Sequence, residues 1–259
     1  MTAELIILGC GSSAGVPAIG NWWGNCDPAN PKNRRTRPSV AIQTDQTCLI
    51  VDTGPDFREQ MNREKLRVPD AILFTHEHAD HVAGIDELRT LQRLEKRIFP
   101  VFSDAYTLDR LKKRVDYMFK TTENGFYSAV CSENVLNFNE IWHFNDIKAH
   151  IFKQDHGTID SLGFRVGSVA YSTDFKRLDD TAIDILRGVD VWIADSAGYE
   201  SLTNPVHACI DEVIAYNERI CARQVYLTHM PPTMDYDVVA KRLPPGYAPA
   251  YDGLRIEIA

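Results

Sequence analysis

Within the string Thr-His-Glu-His-Ala-Asp-His that begins at Thr75, three imidazoles and a carboxylate (His76, His78, Asp80 and His81) fall in six positions. The string follows the apolar run 71–74. Along an extended segment, side chains two apart face the same way, so His76 and His78 can grip one ion. A turn into a helix then sends Asp80 and His81 in another direction, where they can serve a second. Imidazole and carboxylate suit Zn²⁺, Mn²⁺ or iron. His156, Asp174 and His229 each come after a further short apolar run: 147–152, 168–172 and 225–227. Strand ends are where chemically active groups collect, so a shared sheet edge is expected to gather all seven residues.

The elements that would position them are short. The runs 5–8, 40–42, 48–51 and 71–74 are β-branched and end in polar or glycine clusters, the mark of strands. The first three are linked by turn-rich segments, as in a meander. Helical spacing begins after residue 80, through Val82, Ile85, Leu88, Leu91 and Leu94. A second helix is expected over 104–120, another over 179–186 ending at Gly188, and another opened by Pro205. Two successive groups of strands and helices imply two packed sheets covered by helices, an α/β chain (α+β in layer terms).

Composition sets outer limits. The 259 residues carry 28 basic and 36 acidic side chains, a net −8. That field repels polyanions, so neither broad nucleic-acid binding nor an anionic membrane surface is expected. Six cysteines form no CxxC pair, and no apolar run approaches the roughly 20 residues of a membrane span. With no cleavable leader visible at the N-terminus, the expectation is a soluble protein of a reducing compartment, the cytoplasm.

The segment HEHADH matches the HxHxDH signature of the metallo-β-lactamase superfamily, and His156, Asp174 and His229 follow in that family's ligand order. The resemblance implies an αββα sandwich, here one domain over 1–259 with a helical insertion around 104–130. It also implies two divalent ions, Zn or Mn. By position, His76, His78 and His156 would bind the first ion and Asp80, His81 and His229 the second, with Asp174 bridging. The stretch ending Asp52-Thr-Gly54 resembles the superfamily's "DTG" turn, where Asp52 would support the ligands from behind; an ordinary turn aspartate is the alternative. The opening Leu8-Gly-Cys-Gly-Ser-Ser-Ala-Gly-Val-Pro17 resembles the branch of tRNase Z and the cyclic-phosphate phosphodiesterases. The tail, Leu243-Pro-Pro-Gly-Tyr through Tyr251-Asp-Gly-Leu-Arg-Ile-Glu257, resembles the phosphoribosyl cyclic phosphate phosphodiesterases, and His207 of Asn204-Pro-Val-His207 stands where they place an active-site histidine. Those enzymes carry a further structural zinc on clustered cysteines. Here the matching stretch holds only Cys26, and one thiolate cannot build a four-ligand site, so that zinc is expected to be absent.

The implied reaction is hydrolysis of a small phosphodiester, with a cyclic one favoured. Two ions about 3.5–4 Å apart would provide a hydroxide, and His207 would act as acid or hydrogen-bond donor on the leaving group. Asp80 and His207 are the residues expected to take part in catalysis, with His207 also meeting the substrate. The expected partner is a small phosphorylated molecule, and a homodimer is left open. A tRNase Z-like nuclease and a non-catalytic metal-holding carrier are the alternatives on the same scaffold. Lys32, Arg34, Arg35 and Arg37 read equally as a solvated face or as a local phosphate site.

Overall fold

The computed structural model describes residues 3–199 and 204–259. β1 (Ala3–Gly9), β2 (Ser39–Gln43), β3 (Cys48–Val51), β4 (Ala71–Leu73), β5 (Phe99–Ser103) and β6 (Cys131–Val135) lie side by side in one sheet. β7 (Ile141–Phe144), β8 (Ile147–His156), β9 (Ile159–Val166), β10 (Val169–Ser172), β11 (Val191–Asp195), β12 (Gln224–Thr228) and β13 (Tyr247–Pro249) form a second. β14 (Arg255–Ile258) returns to the first sheet beside β1. Both sheets are mixed. In the first, β14-β1-β2-β3 run antiparallel and β3-β4-β5-β6 parallel. In the second, β13-β12-β11-β10 run parallel and β10-β9-β8-β7 antiparallel.

Alternation explains why these strands read as unbroken apolar runs. Leu5, Ile7, Leu49, Val51, Ala71 and Leu73 face the second sheet, whose facing residues include Ile151, Phe164, Tyr171 and Ile193. Their neighbours Ile6, Leu8, Ile50 and Ile72 point the other way. That outer face is covered by α1 (Phe57–Glu64), α2 (Ala79–Val82), α3 (Leu88–Glu95) and α4 (Ala105–Val115), through Phe57, Val82, Leu88, Leu108 and Leu111. α5 (Asp180–Leu186), α6 (Ile210–Ile220) and α7 (Tyr236–Arg242) pack on the second sheet through Ile183, Leu186, Val213 and Val239. The result is two mixed sheets flanked by helices, the metallo-β-lactamase sandwich. Cutting Ile72 back to alanine would cost about 2–5 kcal/mol, as for other buried large-to-small changes.

Several elements differ from the sequence reading. The expected helix beyond residue 80 is broken into α2, a 3-10 turn at Ile85–Glu87, and α3. Gly84 marks the break: a Cβ there would lie 2.1 Å from the Gly54 carbonyl oxygen, and its N–H donates to Thr53 O. The helix expected over 104–120 is α4 plus a 3-10 turn at Asp116–Met118, and 119–130 is neither helix nor strand. Pro205 does not open a helix. α6 starts at Ile210, where Glu212 reaches back to the Cys209 N–H in a capping box. His156 is the last residue of β8, which continues past the apolar run 147–152 because it stays paired with β9 down to His156–Ile159. No described helix is long and apolar enough to cross a membrane.

Candidate metal centre

The functional side chains leave the carboxyl ends of neighbouring strands. β4 ends in Leu73 and leads through Phe74 and Thr75 to His76; β8 ends in His156; β10 leads to Asp174, β11 ends in Asp195, and β12 leads to His229. At two of these exits, and at the end of β3, the backbone turns sharply. Asp52, Asp174 and His229 hold φ of 65°, 50° and 58°, a left-handed conformation that non-glycine residues adopt at a cost of about 1–2 kcal/mol. Such strain persists where surrounding structure over-determines it, commonly at functional sites.

Two four-residue groups of side chains converge, His76, His78, His156 and Asp174 in one and Asp80, His81, Asp174 and His229 in the other, and Asp195, His207 and His229 form a smaller third. His78 Nδ1 lies 3.0 Å from His76 Nε2 and 3.3 Å from His156 Nε2. Asp174 Oδ2 is 3.8 Å from His76 Nε2 and 3.6 Å from His156 Nε2. In the second group His81 Nε2 is 3.3 Å from Asp174 Oδ1 and 3.5 Å from Asp80 Oδ2, and His229 Nε2 is 3.6 Å from both carboxylates. Two ligands about 2.1 Å from a tetrahedral ion sit roughly 3.4 Å apart, so these spacings suit such an ion. His81 Nε2 and both nitrogens of His229 are buried with no hydrogen-bond partner. Buried polar atoms are costly unless satisfied, and coordination would satisfy them. The donor set therefore fits divalent metal.

Outer contacts select the ligating nitrogen. Asp52 Oδ2 accepts from His81 Nδ1 at 2.7 Å, while Thr75 donates to Asp52 through its N–H and its hydroxyl, each at 2.8 Å. The Thr75 hydroxyl lies 3.0 Å from His76 Nδ1, and Val206 O is 2.8 Å from His156 Nδ1. Three histidines thus present Nε2 inward, as metal-ligating histidines with bonded outer nitrogens do. Of the two readings of Asp52, the structure has the carboxylate behind His81.

Electrostatics complete the preparation. Burial alone would raise the Asp174 carboxyl, yet His229 and His81 hold it well below the carboxylate range, and His81 and His229 do the same for Asp80. Burial depresses His156, and burial with neighbouring His81 depresses His76, which keeps both rings neutral. Ionised carboxylate and neutral imidazole are the forms that bind metal; His81, which burial lowers but Asp174, Asp52 and Asp80 raise well above the imidazole range, would give up a proton to ligate.

Asn204 to His207 arch over the boundary of the two groups. The His207 ring stacks on His229 at 4.5 Å and meets His156 edge-on at 4.8 Å. Asn204 Oδ1 accepts from the Val206 and His207 N–H groups, and Lys176 Nζ donates to the His207 carbonyl. His207 Nδ1 lies 2.8 Å from Asp195 Oδ2, which also accepts from Phe175 N. Burial would lower the His207 pKa, but the Asp195 carboxylate, with Asp174 and Asp80 farther off, pushes it up to about 9. From the sequence Asp195 reads by default as a turn residue. Its signal was there: it ends a buried strand at the level of the ligands.

The basic run does not form one patch. Lys32 sits over the Tyr236 and Tyr251 rings, Arg34 lies over Trp23, and Arg37 pairs with Asp56. Arg35 is 1% exposed and donates to Pro231 O, Met234 O and Cys26 Sγ just beyond His229.

A beta-lactamase superfamily domain is matched over residues 47–230. The chain belongs to this superfamily. As a superfamily member it superposes on the crystal structure of a new diphosphatase from the PhnP family with a TM-score of 0.88 at 33% identity, covering 100% of this chain and 98% of that one. It is 29% identical over 255 residues to an octanoyltransferase of Porphyromonas gingivalis, 96% of this chain but 50% of that protein. A ribonuclease Z of Thermococcus kodakarensis is 28% identical over 139 residues, 52% of this chain and 42% of that protein. The chain thus spans half or less of these two curated relatives. Family and fold are those of the beta-lactamase superfamily.

Proposed function

We propose that this protein is a dinuclear metal-dependent phosphodiesterase acting on a small phosphodiester, with a cyclic one favoured. His76, His78 and His156 would hold one Zn or Mn ion and Asp80, His81 and His229 the other, with Asp174 within reach of both groups. Bound ions of this kind supply a water of lowered pKa and neutralise charge on phosphate oxygens. The observation that carries the reading is the Asp195–His207 pair at the seam of the two groups. With Nδ1 committed to Asp195, Nε2 of His207 is the atom that faces a substrate and donates a proton to a departing alkoxide. Asp195 belongs to neither four-residue ligand group, so it supports the imidazolium whether or not Asp80 and Asp174 are neutralised by cations. A thioester would have less use for such an acid, because a thiolate is a good leaving group without a proton.

The PhnP-family relative, described as a diphosphatase, supports a substrate cleaved at phosphorus and adds diphosphates to the candidates. The net charge of −8 disfavours a long RNA. The test is a panel assay on metal-loaded protein: cyclic, ribosyl and diphosphate diesters against phosphomonoesters, a lactam, an acyl thioester and a precursor tRNA. Turnover is expected with the small diesters. Faster hydrolysis of the thioester or the tRNA would replace this reading, and metal retention without any turnover would favour a carrier.

A further inference from the structure

Glu77 separates His76 from His78 and belongs to neither ligand group. Its residue is only 6% exposed, and a buried carboxylate needs partners. Both come from one face of α4. Arg114 Nη2 lies 3.3 Å from Glu77 Oε2, and Arg110 Nε lies 3.6 Å from Oε1. Arg114 Nη1 also donates to the Glu77 carbonyl oxygen at 2.5 Å. Four residues apart, the two arginines share a helix face. α4 is itself anchored: Asp104 accepts from the Tyr106 and Thr107 N–H groups, and Ser103 Oγ donates to Phe74 O, two residues before His76. The end of β5 and the C-terminal half of α4 are therefore tied to residues 74–78, at Phe74 and at Glu77.

We infer that Arg110 and Arg114 act through Glu77 as positioning residues for His76 and His78, so that the segment after β5 sets the affinity of the first metal group without contributing a ligand. This rests on the ligand assignment proposed above. Both arginines are half-exposed, and an ordinary surface ion pair would contribute little. Two features separate this cluster from that case: the carboxylate is buried, and one of the bonds goes to the main chain. A guanidinium bound to both the carbonyl and the side chain of one residue restrains that residue's backbone. It thereby fixes the directions in which the flanking histidines leave. Outer partners of metal ligands typically govern 10–100-fold in affinity.

The experiment titrates metal-free protein with Co²⁺, read by visible absorption, in two backgrounds. Asp80→Ala leaves the first group as the main site; His78→Ala leaves the second. Arg114→Met should weaken binding about 10–100-fold in the Asp80→Ala background and by less than about threefold in the other. Arg114→Lys should recover part of the loss, and Glu77→Gln combined with Arg114→Met should lose no more than Arg114→Met alone. If Arg114→Met does not fold, Arg110→Met and Arg114→Lys carry the comparison. Unchanged affinity in both backgrounds, or equal losses in both, overturns the inference. If the parent chain binds no Co²⁺, the ligand assignment has failed and takes the inference with it, a result distinct from a failed clamp on an intact site.

Discussion

Replacing His207 by alanine removes the proposed acid while leaving all seven candidate ligands in place. General acid catalysis typically contributes 10²–10⁴-fold, or about 2.7–5.4 kcal/mol of barrier at 1.36 kcal/mol per factor of ten. The structure argues against a value below this range. The ring is held at one nitrogen by a buried carboxylate 2.8 Å away and lies against the His156 and His229 rings, so little freedom is left to restrict during reaction. The loss must follow the leaving group. On a ribosyl or alkyl diester His207→Ala should lower kcat by about 100-fold or more, whereas bis(p-nitrophenyl) phosphate, whose aryloxide departs without a proton, should be nearly unaffected. Asp195→Asn supplies a second arm. Asparagine keeps the shape but can donate to Nδ1, which favours the wrong tautomer and destabilises the imidazolium. It should lose nearly as much as His207→Ala on the alkyl substrate, and the double variant no more than the worse single. That is a coupling far outside the roughly 0.3–0.5 kcal/mol scatter of independent sites. The assay is kcat and KM on both substrates, with metal content measured for each variant because Asp195 Oδ1 lies 3.7 Å from His229 Nδ1. Equal losses on both substrates, a change in KM alone, or additive losses would refute the acid role.

Asp174→Ala should reduce occupancy of both metal groups together and His78→Ala mainly the first, as read by elemental analysis; loss of one ion only in Asp174→Ala would argue against a shared ligand. Burial pushes the thiols of Cys10 and Cys26 up, Cys48 and Cys209 to about 11 and Cys131 to about 12. At pH 8 iodoacetamide should therefore modify exposed Cys221 alone, since a thiol of pKa 11 is only about 0.1% thiolate there, and labelling of the others should grow as pH rises toward 11. Labelling of Cys48 or Cys131 at pH 8 without denaturant would contradict this. Cys26→Ser should change stability by less than about 1 kcal/mol, because a hydroxyl can also accept from Arg35 and donate to Pro232 O. Arg35→Met strips the donor from two main-chain oxygens and should cost about 1–3 kcal/mol for each. Calorimetry separates the two variants, and loss of one zinc per chain in Cys26→Ser would reveal a structural metal there.

Legibility in the sequence followed locality. HEHADH could be read because four donors lie within six residues, and the sandwich because its central strands are buried on both faces and so are apolar throughout. Asp195 reads from the sequence as a turn residue because its partner His207 lies 12 positions on, across a connection with no periodic signal. Glu77 shows nothing in the string that it needs arginines 33 and 37 positions later; that pairing exists only once α4 has packed. Pro205 suggested a helix start, but the cap that forms, Cys209 with Glu212, depends on a side chain reaching backward, and cysteine is not a residue that announces a cap. The cations of the basic run are adjacent in sequence yet point into four environments, a separation made by the loop's path rather than by composition.

The left-handed backbone at Asp174 and His229 sets persistence against chemistry at the same two positions. Glycine adopts that conformation without penalty, so a screen for resistance to heat or protease, blind to turnover, would reward glycine at 174 or 229 with tougher and inert molecules. Diversity recovered from such a screen would map the centre by what it discards. Engineering for robustness would do better to hold these positions constant and draw its gains from the helices on the outer faces.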